Sequence, residues 1–595
     1  MFLTERVKVT NIQKRDLIRS RDIENNHDRY REVLRLIDPT VEYQFEISAG
    51  SFSVCSSPTH PMAVLRAGKE QYIETQEIKV GDTVITTNGY KKIDSVKRGK
   101  FYSEDFIDFT IDEDNNYYAG NSPDHLILAH NSATIYYPIW HLEVEDLLVL
   151  KNNKGTEDNR VRHMDYGVQF NKLMYERLIT NSEITLFSPS DVPDLYETFF
   201  NDQEKFKELY ETAERNTHLR KKVVKAVDLF SAFMEERKNT GRVYLMNVDH
   251  ANDHGSFKKE IAPIKMSNLC GEIDLPTTPL NDFNDSDGAI ALCTLSAINW
   301  GLIRNPEDFE KPCTLAVRGL DSLLSYQEYP VKAAKNATMK RRPLGIGIIN
   351  LAYFLARNDT NYTNPNLNLI DEYAEAWSYY LIKASADLAA EHGACPGNDE
   401  TLYGDGITPN QTYKKDVNEL IPHKERLDWK SLRKQLKKTG IRNSTLMALM
   451  PSETSAQISN STNGIEPPRA YVSVKQSKDG VLKQVVPGFP YYKNKYELLW
   501  DQESPEGYLK IMAVLQKYID QGISVNTSYN PQFFKGEKIP MSVMLKHLIM
   551  CYKFGHKQLY YFNTYDGAGD DNEEKTPETE ENYTTSQEDC ETCVI

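Results

Sequence analysis

Near residue 135 the chain changes its hydrophobic period, and that switch divides it into two modules of different class. Before it, apolar and polar residues alternate over short runs such as Tyr43-Gln44-Phe45-Glu46-Ile47 and Asp82-Thr83-Val84-Ile85-Thr86. Successive side chains of a strand face opposite ways, so these runs predict half-buried β-strands, with Asn88-Gly89 as a turn between two of them. After the switch the spacing becomes helical. Within residues 371–391, Tyr373, Trp377, Tyr380, Leu381, Ala384 and Leu388 fall on one stripe, with Gly393 just beyond as a stop. After Tyr565 the sequence turns acidic and polar, DGAGDDNEEKTPETEENYTTSQEDCETCVI, a composition that buries too little surface to offset the cost of ordering. The expectation is an all-β module, an α/β part and a flexible tail. No repeat of fixed period suggests a solenoid.

The 595 residues leave room for several domains at roughly 100 to 200 residues each. Hydrophobic residues are 40% and charged residues 26%, with no run of about 18 apolar residues and no signal-peptide pattern at the start. A soluble, cytoplasmic protein without a membrane partner is expected. Eight scattered cysteines are too few for a secreted disulfide scaffold, so any disulfide is expected to be catalytic. A formal charge of −16 argues against broad nucleic-acid binding, because phosphate contacts need a basic surface.

Four blocks of the β module carry a chemistry. They are Ser57-Pro58-Thr59-His60, Phe106-Ile107-Asp108-Phe109-Thr110-Ile111, Leu126-Ile127-Leu128-Ala129-His130-Asn131, and Ser132 after them. A lone His-Asn-Ser is ordinarily a turn. In this order the blocks resemble the second half of an intein. The resemblance implies that the Asn131 amide attacks its own backbone carbonyl, that His130 donates a proton, and that the Ser132 hydroxyl carries the upstream chain as an ester before ligation. Ser57 and His60 match the block that promotes the first acyl shift, and Asp108 lies in the penultimate block. Cys55 stands too late to be the initiating nucleophile, and the link Asn121-Ser122-Pro123-Asp124-His125 is longer than usual. The expectation is a C-terminal split-intein half of the Hint type over residues 1–131, with its N-terminal half on an upstream polypeptide.

The most informative segment of the second module is Ser267-Asn268-Leu269-Cys270-Gly271-Glu272. An extended chain here would put Asn268, Cys270 and Glu272 on one face, presenting an amide, a thiol and a carboxylate to one ligand. By itself a flanked cysteine is more often structural. The run resembles the finger loop of class I ribonucleotide reductases, and the resemblance continues from Ser132 through TIYYPIWHLEVEDLLVLKNNKG, RVRHMDYGVQFNKLMY and LFSPSDVP to the C-terminus. It implies an α/β fold, the family's ten-stranded barrel, here incomplete, over residues 132–430. The rest of the barrel and a C-terminal α/β region would fill 431–565, before a redox-active tail over 566–595.

Carried over, Cys270 becomes a thiyl radical that takes the ribose 3′-hydrogen, Glu272 accepts the 3′-hydroxyl proton, and Asn268 and Ser267 hold the substrate. Cys293 in Ala291-Leu292-Cys293-Thr294 matches one of two reducing thiols, the other belonging to a stretch upstream of the junction. Cys313, Cys395 and Cys551 match no role and are expected to be buried. Residues 443–450 read as a buried strand entering the hydroxyl-rich start Pro451-Ser452-Glu453-Thr454-Ser455-Ala456-Gln457. A helix start of this kind is usually only a cap, yet its free N–H groups suit an anion. The longer string ALMPSETSAQISNSTNGIEPPR resembles the family's diphosphate-binding segment, which makes Glu453, Thr454, Ser455 and Ala456 candidates for the substrate phosphates. Gly345-Ile346-Gly347 lacks the third glycine of a dinucleotide fingerprint and is expected to be a strand.

Tyr560-Tyr561, after an amphipathic segment at 541–554, resembles the pair that passes the radical to the active-site cysteine. No di-iron spacing of His and carboxylates appears, which implies a separate metal-containing small subunit as radical source and no metal in this chain. Cys590-Glu591-Thr592-Cys593 could be half a zinc site, but no second pair completes it. As tail cysteines of the family they would re-reduce the active-site disulfide and be recharged by thioredoxin or glutaredoxin. The resemblance also implies a nucleoside triphosphate effector and a homodimer after splicing. The rival expectation is a self-splicing protein whose reductase part is an inactive fragment. The paired tyrosines and the lack of a glycyl-radical motif argue against an anaerobic enzyme.

Overall fold

The computed structural model describes residues 17–22, 27–37, 43–49, 52–56, 61–66, 69–86, 89–100, 108–111, 116–122, 125–130, 134–152, 154, 160–162, 164–281, 285–329, 331–477 and 480–566. The described elements of the first module are strands, with one short 3-10 turn at Thr75–Glu77. Strands β1 (Leu17–Asp22), β2 (His27–Ile37) and β10 (Asp108–Ile111) form one sheet, and β3 (Tyr43–Ala49), β4 (Phe52–Ser56) and β9 (Ser95–Lys100) a second. A third holds β5 (Pro61–Arg66), β6 (Lys69–Glu74), β7 (Thr83–Thr86), β8 (Gly89–Lys92), β11 (Asn116–Ser122) and β12 (His125–His130). The run expected at 43–47 lies in β3, and residues 83–86 of the run expected at 82–86 form β7. Thr86 pairs with Gly89, the register a tight hairpin requires.

The second module is mixed α/β. Strands β13 (Thr134–Pro138), β14 (Asp165–Phe170) and β17 (Val243–Asn247) run parallel, with β23 (Gln558–Leu559) antiparallel beyond β17. A second parallel run begins with β18 (Leu295–Asn299) and β19 (Gly345–Ile349), and continues through single bridges Ile346 to Met447 and Leu449 to Ile523. It ends with β22 (Thr527–Tyr529) parallel to β24 (Phe562–Thr564). The segment carrying β23 and β24 therefore belongs to both runs. Every residue of β17 and β19 is buried, which is why these strands read as unbroken apolar runs. Ribbons β15 (Glu183–Phe187) with β16 (Lys221–Lys225), and β20 (Val472–Ser477) with β21 (Gly480–Val485), lie outside these runs.

Residues 443–450 depart from a continuous strand: 443–449 are buried, and the segment is paired only by the bridges at Met447 and Leu449. The Asp520 carboxylate accepts the N–H groups of Leu446 at 2.8 Å and Met447 at 2.9 Å, while Leu446 O accepts from Ile346 N at 2.8 Å and Leu449 N donates to Gly522 O at 3.1 Å. The helix Leu367–His392 confirms the stripe and the stop at Gly393, but it is buried well beyond one face. It packs against helices Glu310–Tyr326, Trp429–Thr439 and Glu506–Gln516. Its Asp371 and Glu375 are buried, and Arg426 reaches both at 2.8 Å while Lys517 reaches Asp371 at 2.5 Å. Burial without such partners would cost several kcal/mol per charge. Met541–Lys553 is a helix, as its amphipathic pattern predicts. No helix among the described residues is long and apolar enough to cross a membrane.

Candidate active site

The finger segment corrects one expectation. Residues 267–272 are not extended: Leu269 and Cys270 form a turn, closed by Gly271 N–H donating to Asn268 O at 3.2 Å. Gly271 has φ +72°, a left-handed conformation that opposes a straight strand and favours glycine. The Asn268 side chain does the rest. Its Oδ1 accepts from Glu272 N at 3.0 Å and Ile273 N at 3.1 Å, and its Nδ2 donates to Glu272 Oε1 at 2.8 Å. The turn thus gathers amide, thiol and carboxylate by a route other than strand alternation. Ser267 donates to Ile273 O at 2.9 Å and supports the turn's end.

Two other elements meet this turn. Asn268 Nδ2 lies 3.7 Å from Cys293 Sγ, which stands just before β18. Tyr560, between β23 and β24, places its hydroxyl 3.7 Å from Cys270 Sγ and donates to Tyr561 Oη at 2.7 Å. The two rings are 3.8 Å apart between centroids, and Tyr244 of β17 packs 4.8 Å from Tyr560. Ser524 Oγ donates to Cys270 O at 2.7 Å and lies 3.1 Å from Glu272 Oε2.

Burial dominates the electrostatics. It pushes Glu272 up to about 7, against the hydrogen bonds from Asn268 and Ser524 that favour the carboxylate. Desolvation and then the Glu272 charge raise both thiols, that of half-buried Cys270 and that of the more exposed Cys293, the latter to about 11. Both cysteines are therefore thiols at neutral pH, which suits hydrogen-atom chemistry better than thiolate attack. Burial and the Tyr561 contact also raise Tyr560, so it keeps its proton unless oxidised.

Residues 130–562 match the sequence profile of the family described as ribonucleotide reductase, barrel domain. The chain belongs to that family. The ribonucleoside-diphosphate reductase subunit alpha of Haemophilus influenzae is 59% identical over 440 residues, which are 74% of this chain and 58% of the relative. Subunit alpha 1 of Escherichia coli is 56% identical over 447 residues, 75% of this chain and 59% of the relative. The subunit alpha of phage T4 is 47% identical over 459 residues, 76% and 60% respectively. The chain thus spans about three-fifths of the length of these relatives.

Elsewhere in the second module, Ser452 opens the short helix Glu453–Ile458, which holds Ser455 and Ala456, and the Ser452 side chain makes no capping hydrogen bond. Ser455 Oγ donates to Ser452 O at 3.2 Å, and the Thr454 side chain lies outside the described residues. Cys313, Cys395 and Cys551 are buried, as expected. Cys590 and Cys593 lie outside the described residues, as do Ser57, His60, Asn131 and Ser132. Asp108 opens β10 and His130 ends β12, but only their backbones are described. No group of three or more His, Cys, Asp or Glu among the described residues could hold a metal.

Several residues of the site carried no flag in the sequence. Ser524 comes from 254 positions away, and nothing local marks it. Arg237 was more legible, being a fully buried cation at core spacing with Phe230, Phe233 and Met234 in helix Ala226–Thr240. Its guanidinium donates to Val243 O and Tyr560 O at 2.7 Å and to Tyr561 O at 3.1 Å, fixing the backbone under the tyrosine pair.

Proposed function

We propose that the part from Ser132 onward is the catalytic C-terminal part of a class I ribonucleotide reductase large subunit, which reduces ribonucleoside diphosphates to deoxyribonucleoside diphosphates. The observation that carries this reading is the line from Tyr561 through Tyr560 to Cys270, ending beside Glu272, Asn268 and Cys293. An oxidised Tyr561 takes the hydrogen of Tyr560, and Tyr560 then takes that of Cys270, one electron and one proton at each step. The Cys270 thiyl removes the 3′-hydrogen, Glu272 takes the 3′-hydroxyl proton, and the 2′-hydroxyl takes a proton from one reducing thiol and leaves as water. Cys293 and a second thiol give two electrons and become a disulfide, their other hydrogen goes to C2′, Glu272 returns its proton to the 3′-oxygen, and Cys270 returns the hydrogen to C3′ and is again a thiyl. That second thiol belongs to the length of the relatives that this chain does not span. Glu453, Thr454, Ser455 and Ala456 receive the substrate diphosphate at this helix start. The full enzyme has the family's ten-stranded barrel, a nucleoside triphosphate effector and a homodimeric large subunit. A metal-containing small subunit starts the radical, and thioredoxin or glutaredoxin recharges Cys590 and Cys593.

Residues 1–131 act as the C-terminal half of a split intein, and splicing joins Ser132 to an upstream chain. Support comes from the all-β sheets and from the pairing of β12 with β5 at Ala129 and Met62, which makes neighbours of the backbones beside the two histidine blocks. Cys270→Ser in the ligated protein tests the reductase reading. Turnover with the small subunit should vanish while thermal unfolding is unchanged, and reduction near the parental rate would reject the assignment.

A further inference from the structure

Asn268 O is the atom that closes the Cys270 turn, and it accepts two hydrogen bonds. One comes from Gly271 N–H; the other comes from the hydroxyl of Tyr136 on β13, 2.7 Å away. The peptide plane of Asn268 fixes where its side chain goes, and that side chain holds Glu272, Ile273 N–H and the Cys293 thiol. We propose that Tyr136 is a positioning residue for the Cys270 turn, clamping Asn268 O so that thiol, amide and carboxylate keep their mutual geometry.

Gly167 makes the clamp possible. It is the β14 residue directly opposite Tyr136, and a Cβ there would lie 2.3 Å and 2.4 Å from two carbons of the Tyr136 ring. Gly167 has no left-handed φ, so its backbone does not require glycine. Ring clearance does: the ring lies across the glycine and carries its hydroxyl to the turn. Burial first, then the nearby Asp274 and Glu272, hold the phenol protonated, so it remains a donor. The role rests on the proposed function only where turnover is concerned, because the clamp itself is readable in the resting protein.

The test is amide hydrogen exchange of the full chain at Gly271, Glu272 and Ile273, whose N–H groups all end on Asn268. Tyr136→Phe removes one hydroxyl and keeps the ring over Gly167. Exchange at those three amides should quicken roughly five- to tenfold, the usual scale for one lost hydrogen bond, while β14 and β17 are unaffected. Gly167→Ala displaces the ring with the hydroxyl retained and should give the same local signature. In the reductase assay Tyr136→Phe should lower kcat by about ten- to a hundredfold with KM within about twofold of the parent, since misplacement rather than weaker binding is the defect. Exchange at the turn within twofold of the parent overturns the proposal, as does loosening that spreads equally through β14. If Tyr136→Phe does not fold, Gly167→Ala decides, and failure of both to fold makes the tyrosine structural and also overturns it. Local loosening in a protein without any reductase activity would sustain the clamp and reject the functional reading.

Discussion

Glu272→Gln isolates the role of the buried carboxylate, because the surrounding hydrogen bonds can accept an amide. Asn268 Nδ2 now donates to Glu272 Oε1, which a glutamine oxygen replaces. Ser524 Oγ already donates to Cys270 O, so it can accept from the new amide nitrogen. No buried group is left unpaired, and the fold should persist. Chemistry should not: loss of a general base typically costs about 10²- to 10⁴-fold, or roughly 3 to 5 kcal/mol in the barrier. With Glu272 at about 7, the parental rate should rise about tenfold per pH unit below that value and level off above it. The variant's rate should be flat over the same range. Stability gives an independent check of sign. A carboxylate raised from 4.5 to about 7 favours the fold while protonated, and that contribution is lost as pH rises through about 7. The glutamine variant should therefore match the parent at pH 4 and exceed it at pH 8 by an amount on the order of 3 kcal/mol. Turnover by the ligated protein and urea unfolding at both pH values measure the two effects. A variant with parental turnover at pH 8, or a parental rate flat between pH 6 and 8, would refute the base assignment.

Two further outcomes follow from the tail and the junction. Replacing Cys590 and Cys593 with Ser should stop thioredoxin-driven cycling yet spare one turnover from prereduced enzyme, and sustained cycling in a multiple-turnover assay counts against a shuttle. Asn131→Ala removes the amide nucleophile, so mixing with the upstream chain should stall at a branched species. Intact mass decides, because a ligated product lacking residues 1–131 would refute the cleavage mechanism.

The strand Tyr43–Ala49 and the helix Leu367–His392 were legible because period two and period 3.6 are properties of neighbouring residues. The same holds for Met541–Lys553 and for the stop at Gly393. The Cys270 turn was legible in membership and illegible in shape. Alternation placed Asn268, Cys270 and Glu272 together on a strand, whereas the left-handed Gly271 and the Asn268 side chain bring them together as a turn. Glycine permits both, so the sequence alone did not choose. Tyr136 and Ser524 meet the turn from 132 and 254 positions away, and no local pattern encodes such contacts. The burial of Asp371 and Glu375 is illegible for the same reason, because the Arg426 and Lys517 cations that allow it come from distant segments.

The central claim is that Cys270 takes a hydrogen atom from C3′ of a ribonucleoside diphosphate. Competition between substrate with hydrogen and substrate with deuterium at C3′, run with the ligated protein and its small subunit, tests it most directly. Selective consumption of the light substrate, with no product at all from Cys270→Ser, is the predicted result. Equal consumption of both substrates, or product from the serine variant, would contradict it.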